Sequence, residues 1–145
     1  MRIIRNTVAL SVLLLACTSA SPPTAPNAAP VAPGGMVPSG GATGPFVRAM
    51  YSVTGTATLA VENGVGRLDL SSDFSIAQTP GPYVYLNTTT NANTGQPLRV
   101  GALKSVRGAQ SYTFQVPAGV RYSWVLIWCD PFNVPMAQAA IPPTP

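Results

Sequence analysis

Tyr122-Ser123-Trp124-Val125-Leu126-Ile127-Trp128-Cys129-Asp130-Pro131-Phe132 is the longest aromatic and β-branched run outside the leader, and its alternation decides the fold class. Successive side chains of a strand point to opposite faces. One face therefore carries Tyr122, Trp124, Leu126 and Trp128, and the other Ser123, Val125, Ile127 and Cys129. Both faces are apolar, which predicts a strand inside a sheet, covered on both sides. Cys129 follows Val125 and Ile127 into the core or to its rim.

Outward from this strand, turn residues recur at the spacing of an all-β domain, and helical periodicity is nearly absent. Upstream, Tyr112, Phe114 and Val116 alternate in a strand over 111–116, and Pro117-Ala118-Gly119 turns the chain. Residues 51–61 read as the first strand, with Ala57, Leu59 and Val61 on one face. Asn63-Gly64 is a hairpin signal, because both residues tolerate positive φ. The return strand, 65–70, sets Gly66, Leu68 and Leu70 opposite Arg67 and Asp69, and Phe74 plugs one end of the core. Pro80-Gly81-Pro82 is a rigid turn before a short strand over 83–86. The polar loop over 87–97 is the longest of the domain, a length that often carries function. Its Asn87-Thr88-Thr89 fits the glycosylation sequon. Residues 134–141 form a last strand. The prediction is a small antiparallel β-sandwich over 46–141, followed by a Pro-rich tail over 142–145.

The first third is different. Arg2 and Arg5 precede a short apolar segment that ends Leu13-Leu14-Leu15-Ala16-Cys17, the layout of an export signal over 1–17. The ending resembles the lipobox of bacterial lipoproteins. That resemblance implies cleavage before Cys17 and lipidation of its sulfur. Two or three acyl chains hold firmly where one does not, at about 0.8 kcal/mol per buried CH₂. The apolar segment is too short for a membrane span, which takes about 20 residues. Thr18, rather than Asp, follows Cys17; in a cell with two membranes this resembles sorting to the outer membrane, facing the periplasm or the cell surface. Residues 18–45 are Pro-, Ala- and Gly-rich, without charge and with little to bury, so they are expected to be a disordered tether that lifts the domain off the membrane.

Composition removes whole classes of chemistry. The 145 residues include no His, which excludes Ser-His-Asp and Cys-His nucleophile pairs and His-ligated metals. Glu62, Asp69, Asp73 and Asp130 are the four acids, a thin supply for a hydrolase, and no metal site is predicted. Beyond the leader, six scattered basic residues face four acids, and no basic run suggests nucleic acid.

A series of short motifs adds to this reading. Gly55…Leu59, Leu68-Asp69-Leu70-Ser71-Ser72-Asp73-Phe74, Gly81-Pro82-Tyr83-Val84-Tyr85-Leu86 and Gly101-Ala102-Leu103-Lys104 come first. Gly108-Ala109-Gln110-Ser111-Tyr112, Val125-Leu126-Ile127-Trp128-Cys129 and Phe132-Asn133-Val134…Ala139 follow. Over 51–141 this order resembles the DM-13 domain family. The resemblance implies a small β-sandwich found in extracellular and membrane-linked proteins, some joined to DOMON or b-type cytochrome domains. It also implies electron transfer. The family's cysteine, proposed as a redox centre either as a bare thiol or through a bound group such as haem, matches Cys129. The chain departs from the pattern at Tyr83, where the family usually has an acid.

Two readings of Cys129 follow. In one it is a redox thiol, with Trp128, Asp130 and Tyr83 as binding candidates and an envelope redox protein as partner. In the other the domain is a non-catalytic binding or structural module, and Cys129 is a small buried hydrophobe, a common fate of a free cysteine. A reactive thiolate needs cations, a helix N-terminus or a metal beside it. The adjacent residue is the acidic Asp130. No second cysteine stands near enough in sequence for an internal redox disulfide. Tyr122, Trp124 and Trp128 are likewise either core or a stacking platform.

Overall fold

The computed structural model describes residues 40–142. The leader, Cys17, residues 18–39 of the tether and residues 143–145 of the tail lie outside the described residues. The described residues form β1 (Ala42–Arg48), β2 (Val53–Thr54), β3 (Thr56–Glu62), β4 (Val65–Leu70), β5 (Ser75–Ile76), β6 (Pro82–Asn87), β7 (Leu98–Ala102), β8 (Gln110–Gln115), β9 (Trp124–Cys129) and β10 (Val134–Ala140). A 3₁₀ turn over Asp130–Phe132 joins β9 to β10.

Eight strands hydrogen-bond in the order β7-β6-β9-β10-β1-β3-β4-β8, antiparallel at every step, and β2 pairs with β5. The sheet folds over at β1. Ala42 to Pro45 pair with β3, whereas Phe46 to Arg48 pair with β10. The crossing is tight. A Cβ at Gly44 would lie 1.8 Å from the carbonyl oxygen of Ala140, so only glycine lets the two backbones pass. The result is a sandwich of two layers that nearly closes into a barrel. At the open seam the Tyr112 hydroxyl donates to Gln110 Oε1 at 2.8 Å, lies 3.3 Å from Ala102 O, and accepts from Lys104 N at 3.1 Å.

The core lies between the layers. Ala57, Leu59, Leu68 and Leu70 come from one layer, and Val84, Leu86, Val125, Ile127, Met136 and Ala139 from the other. Phe74 closes one end, its ring 5.3 Å from that of Phe46. The Asn63-Gly64 turn has positive φ at both residues, as the hairpin motif predicts.

One boundary differs from the sequence reading. The folded chain begins at Ala42, inside the stretch read as tether, because Ala42-Thr43-Gly44-Pro45 pair with Leu59, Thr58, Ala57 and Thr56. Their small side chains lack the hydrophobic alternation that marks a strand. The expected first strand over 51–61 also splits, into β2 and β3.

Candidate functional site

From Trp124 onward the central strand behaves as its two faces require. Tyr122 precedes the strand and packs in the core with Val125 and Ile127 rather than on the Trp124 face, because alternation ends where the strand does. β9 lies between β6 and β10, and all its residues after Trp124 are buried. Val125, Ile127 and Cys129 point into the core; Leu126 and Trp128 point to the outer side of the layer.

Cys129 is 1% exposed. Its Sγ–H donates to the carbonyl oxygen of Pro80 at 3.0 Å. The turn carrying that carbonyl is fixed from outside. Asp130 N donates to Gly81 O at 3.2 Å. Gly81 has φ +61°, and a Cβ there would lie 2.8 Å from both Cγ and Cδ of Pro131. The turn that leads into β6 thus lies flat against the 3₁₀ turn that leaves β9, with the sulfur beneath. One residue earlier, the Thr79 hydroxyl donates to Sδ of the fully buried Met136 at 3.2 Å. Pro135 and Met136 form a bulge in β10, which turns Met136 inward and spares the sheet the amide proton that proline lacks.

Tyr83, Trp128 and Asp130, the three binding candidates, do come together, but on the opposite face from the thiol. Tyr83 is the cross-strand partner of Trp128, and Tyr85 of Leu126. Arg99 of β7 lies opposite Tyr85. Its guanidinium sits 3.4 Å over the centre of the Tyr83 ring. Arg99 also donates to Asp130 Oδ2 from Nε at 2.9 Å and from Nη2 at 2.7 Å. The second carboxylate oxygen, Oδ1, accepts from the Tyr85 hydroxyl at 2.9 Å. Asp130 is thereby held on both oxygens. Partial burial, together with the carboxylate it donates to, pushes the Tyr85 phenol above its ordinary range, and the Asp130 carboxylate keeps Arg99 more firmly protonated.

Trp128 is 5% exposed, although it faces outward. Its indole Nε1 donates to Asn133 Oδ1 at 3.1 Å, and Asn93 Nδ2 donates to the same oxygen at 2.9 Å. Asn93 belongs to the 87–97 loop, which is ordered around one side chain. Asn87 is fully buried. Its Nδ2 donates to Thr89 Oγ1, Asn91 O and Thr94 O, and its Oδ1 accepts from Thr88 N and Gln96 N. In this fold the amide nitrogen of the sequon is unavailable to a glycan.

Arg99 and Tyr85 escaped the sequence reading. Tyr85 shares a face with Tyr83 by simple alternation, a usable signal. Arg99 stands 31 residues from Asp130, and only the β7-β6-β9 register brings them together.

A haem held by Cys129 does not fit this geometry. The sulfur lies in close-packed core and is engaged with Pro80 O, and a surface hollow lined by Ala60, Glu62, Asn63, Val65, Arg67 and Thr113 belongs to the other layer. Among the described residues no three His, Cys, Asp or Glu side chains are grouped to hold a metal ion.

Compared with known proteins, no curated protein and no solved structure is significantly similar to the chain. A family model, electron transfer DM13, matches residues 45–141.

Proposed function

We infer the function of this chain from one premise: it belongs to the electron transfer DM13 family. Our reading is a lipid-anchored protein of the cell envelope whose domain passes electrons singly, without thiol–disulfide exchange. Cys129 is then a packing sulfur. One observation carries this reading: the sulfur is 1% exposed and donates to Pro80 O beneath the turn held by Pro131. Disulfide exchange requires a thiolate that can reach another sulfur in line, and a sealed thiol cannot. Transfer of an electron alone needs no such contact. The anchor rests on the Leu14…Ala16-Cys17 ending of the leader. The tether and the lipid would keep the domain near membrane-bound redox partners of the envelope.

A second reading has an observation in its favour. The seal over Cys129 is one exposed turn, Pro80-Gly81. A partner that lifted this turn would free the thiol, which would then be the redox group.

Cys129→Ser separates the two. A serine hydroxyl can still donate to Pro80 O, so the fold survives. On the first reading the full chain still gives an electron to a strong outer-sphere oxidant such as a flash-generated ruthenium(III) polypyridyl at the wild-type rate. Loss of that transfer, with the fold intact by circular dichroism, would overturn it and favour the thiol.

A further inference from the structure

We propose that Tyr85 is a proton-coupled redox site of the domain: its phenol gives one electron to an outer-sphere oxidant while its hydroxyl proton passes to Oδ1 of Asp130. The proposal rests on the electron-transfer reading and names the group that carries the charge.

By alternation Tyr83, Tyr85, Trp124 and Trp128 share the outer face of β6 and β9, and the surroundings of the three nearest Asp130 differ. Tyr83 lies 3.4 Å beneath the Arg99 guanidinium. A cation over a π face is attracted to the ring electrons and so opposes their loss. Trp128 donates its indole N–H to the side-chain amide of Asn133, an oxygen too weakly basic to take a proton. Tyr85 donates at 2.9 Å to a carboxylate, which can accept one. An oxidised phenol that keeps its proton is a strongly acidic cation in a partly buried place. With an acceptor already in hydrogen-bond contact, the proton can leave as the electron does, and a neutral radical remains.

The step balances. The O–H bond of Tyr85 breaks and an O–H bond forms at Asp130 Oδ1. One electron reduces the oxidant. The phenoxyl is neutral, the carboxylic acid is neutral, and the pair has gained the one positive charge that the lost electron leaves. Re-reduction returns the proton along the same bond. Arg99 acts as a positioning residue: its two hydrogen bonds to Oδ2 hold Asp130 so that Oδ1 faces the phenol. Because the phenol proton already lies in a hydrogen bond to Asp130 Oδ1, it can leave with the electron.

The test is flash oxidation of the full chain in detergent, with a ruthenium polypyridyl as the oxidant, followed by absorption and electron paramagnetic resonance. We expect a phenoxyl radical in the wild type. Tyr85→Phe, which leaves the ring and removes the hydroxyl, loses most of that signal while folding normally; Tyr83→Phe keeps it. Asp130→Asn slows phenoxyl formation by about tenfold or more, the equivalent of losing one charge-assisted hydrogen bond. Deuterated water slows the wild type, a check that needs no variant to fold. An unchanged phenoxyl signal in Tyr85→Phe, or no deuterium effect, overturns the assignment to Tyr85 and leaves the electron-transfer reading standing. No protein radical in the wild type, together with no exchange with a soluble mediator, overturns both.

Discussion

Replacing Asn87 with alanine tests how the outer face of the central strand is built. Asn87 is fully buried and makes four strong hydrogen bonds, two from Nδ2 to Asn91 O and Thr94 O and two to Oδ1, with Thr89 Oγ1 sharing an Nδ2 proton at 3.2 Å. A net contribution of about 0.5–1.5 kcal/mol per bond sets the scale. Most of its partners belong to exposed loop residues, so water can replace part of what is lost. We expect a loss of about 3 kcal/mol, which for a domain of this size lowers Tm by roughly 12–20 °C. The consequence reaches Trp128, because Asn93 of the same loop shares Asn133 Oδ1 with the indole. Urea unfolding followed by tryptophan fluorescence reads both effects, with the native emission shifted to the red as Trp128 meets water. A loss below about 1 kcal/mol with unchanged native emission would refute the view that Asn87 holds the loop.

Alkaline pH should weaken the fold. Burial raises the phenols of Tyr112 and Tyr122 above their ordinary value of 10.0, and burial together with Asp130 raises that of Tyr85. Folded phenols then keep protons that unfolded ones release, so their contribution is complete below pH 10 and is lost as pH rises through the raised values. Urea midpoints measured upward from pH 9 should fall, and Tyr85→Phe should fall less steeply; a flat profile would contradict the burial argument. Cys17→Ser should move the protein from the membrane fraction to the soluble one or leave its leader uncut, and unchanged lipid labelling would refute the anchor.

The β9 alternation places Cys129 toward the core and Trp128 away from it, as the structure has them. The Asn63-Gly64 hairpin and the Phe74 plug were also legible, because each is a local signal: a turn that needs positive φ, or a large apolar side chain beside a break. The start of β1 was not legible. Ala42-Thr43-Gly44-Pro45 resemble the low-complexity tether in composition, and they become a strand only because Gly44 can pass against Ala140 and the stretch pairs with β3. The site divides in the same way. Cys129, Asp130, Trp128 and Tyr83 stand out as residue types, and alternation separates Cys129 from Trp128, but the sequence does not reveal that Tyr83 and Asp130 join Trp128 on the outside. Nor does it reveal Arg99, whose role comes from register across three strands. The departure at Tyr83 acquires a physical meaning in the fold: the ring at that position lies under a guanidinium.

The sealed sulfur is the central claim, and the reaction of Cys129 with a thiol reagent tests it most directly. The full chain is treated with iodoacetamide in native buffer and at rising urea, and modification of the 129-containing peptide is followed by mass spectrometry. The account predicts that labelling in native buffer is slow and that its rate rises in step with global unfolding. Labelling in native buffer at the rate of a free thiol would contradict it and make Cys129 an open, reactive group.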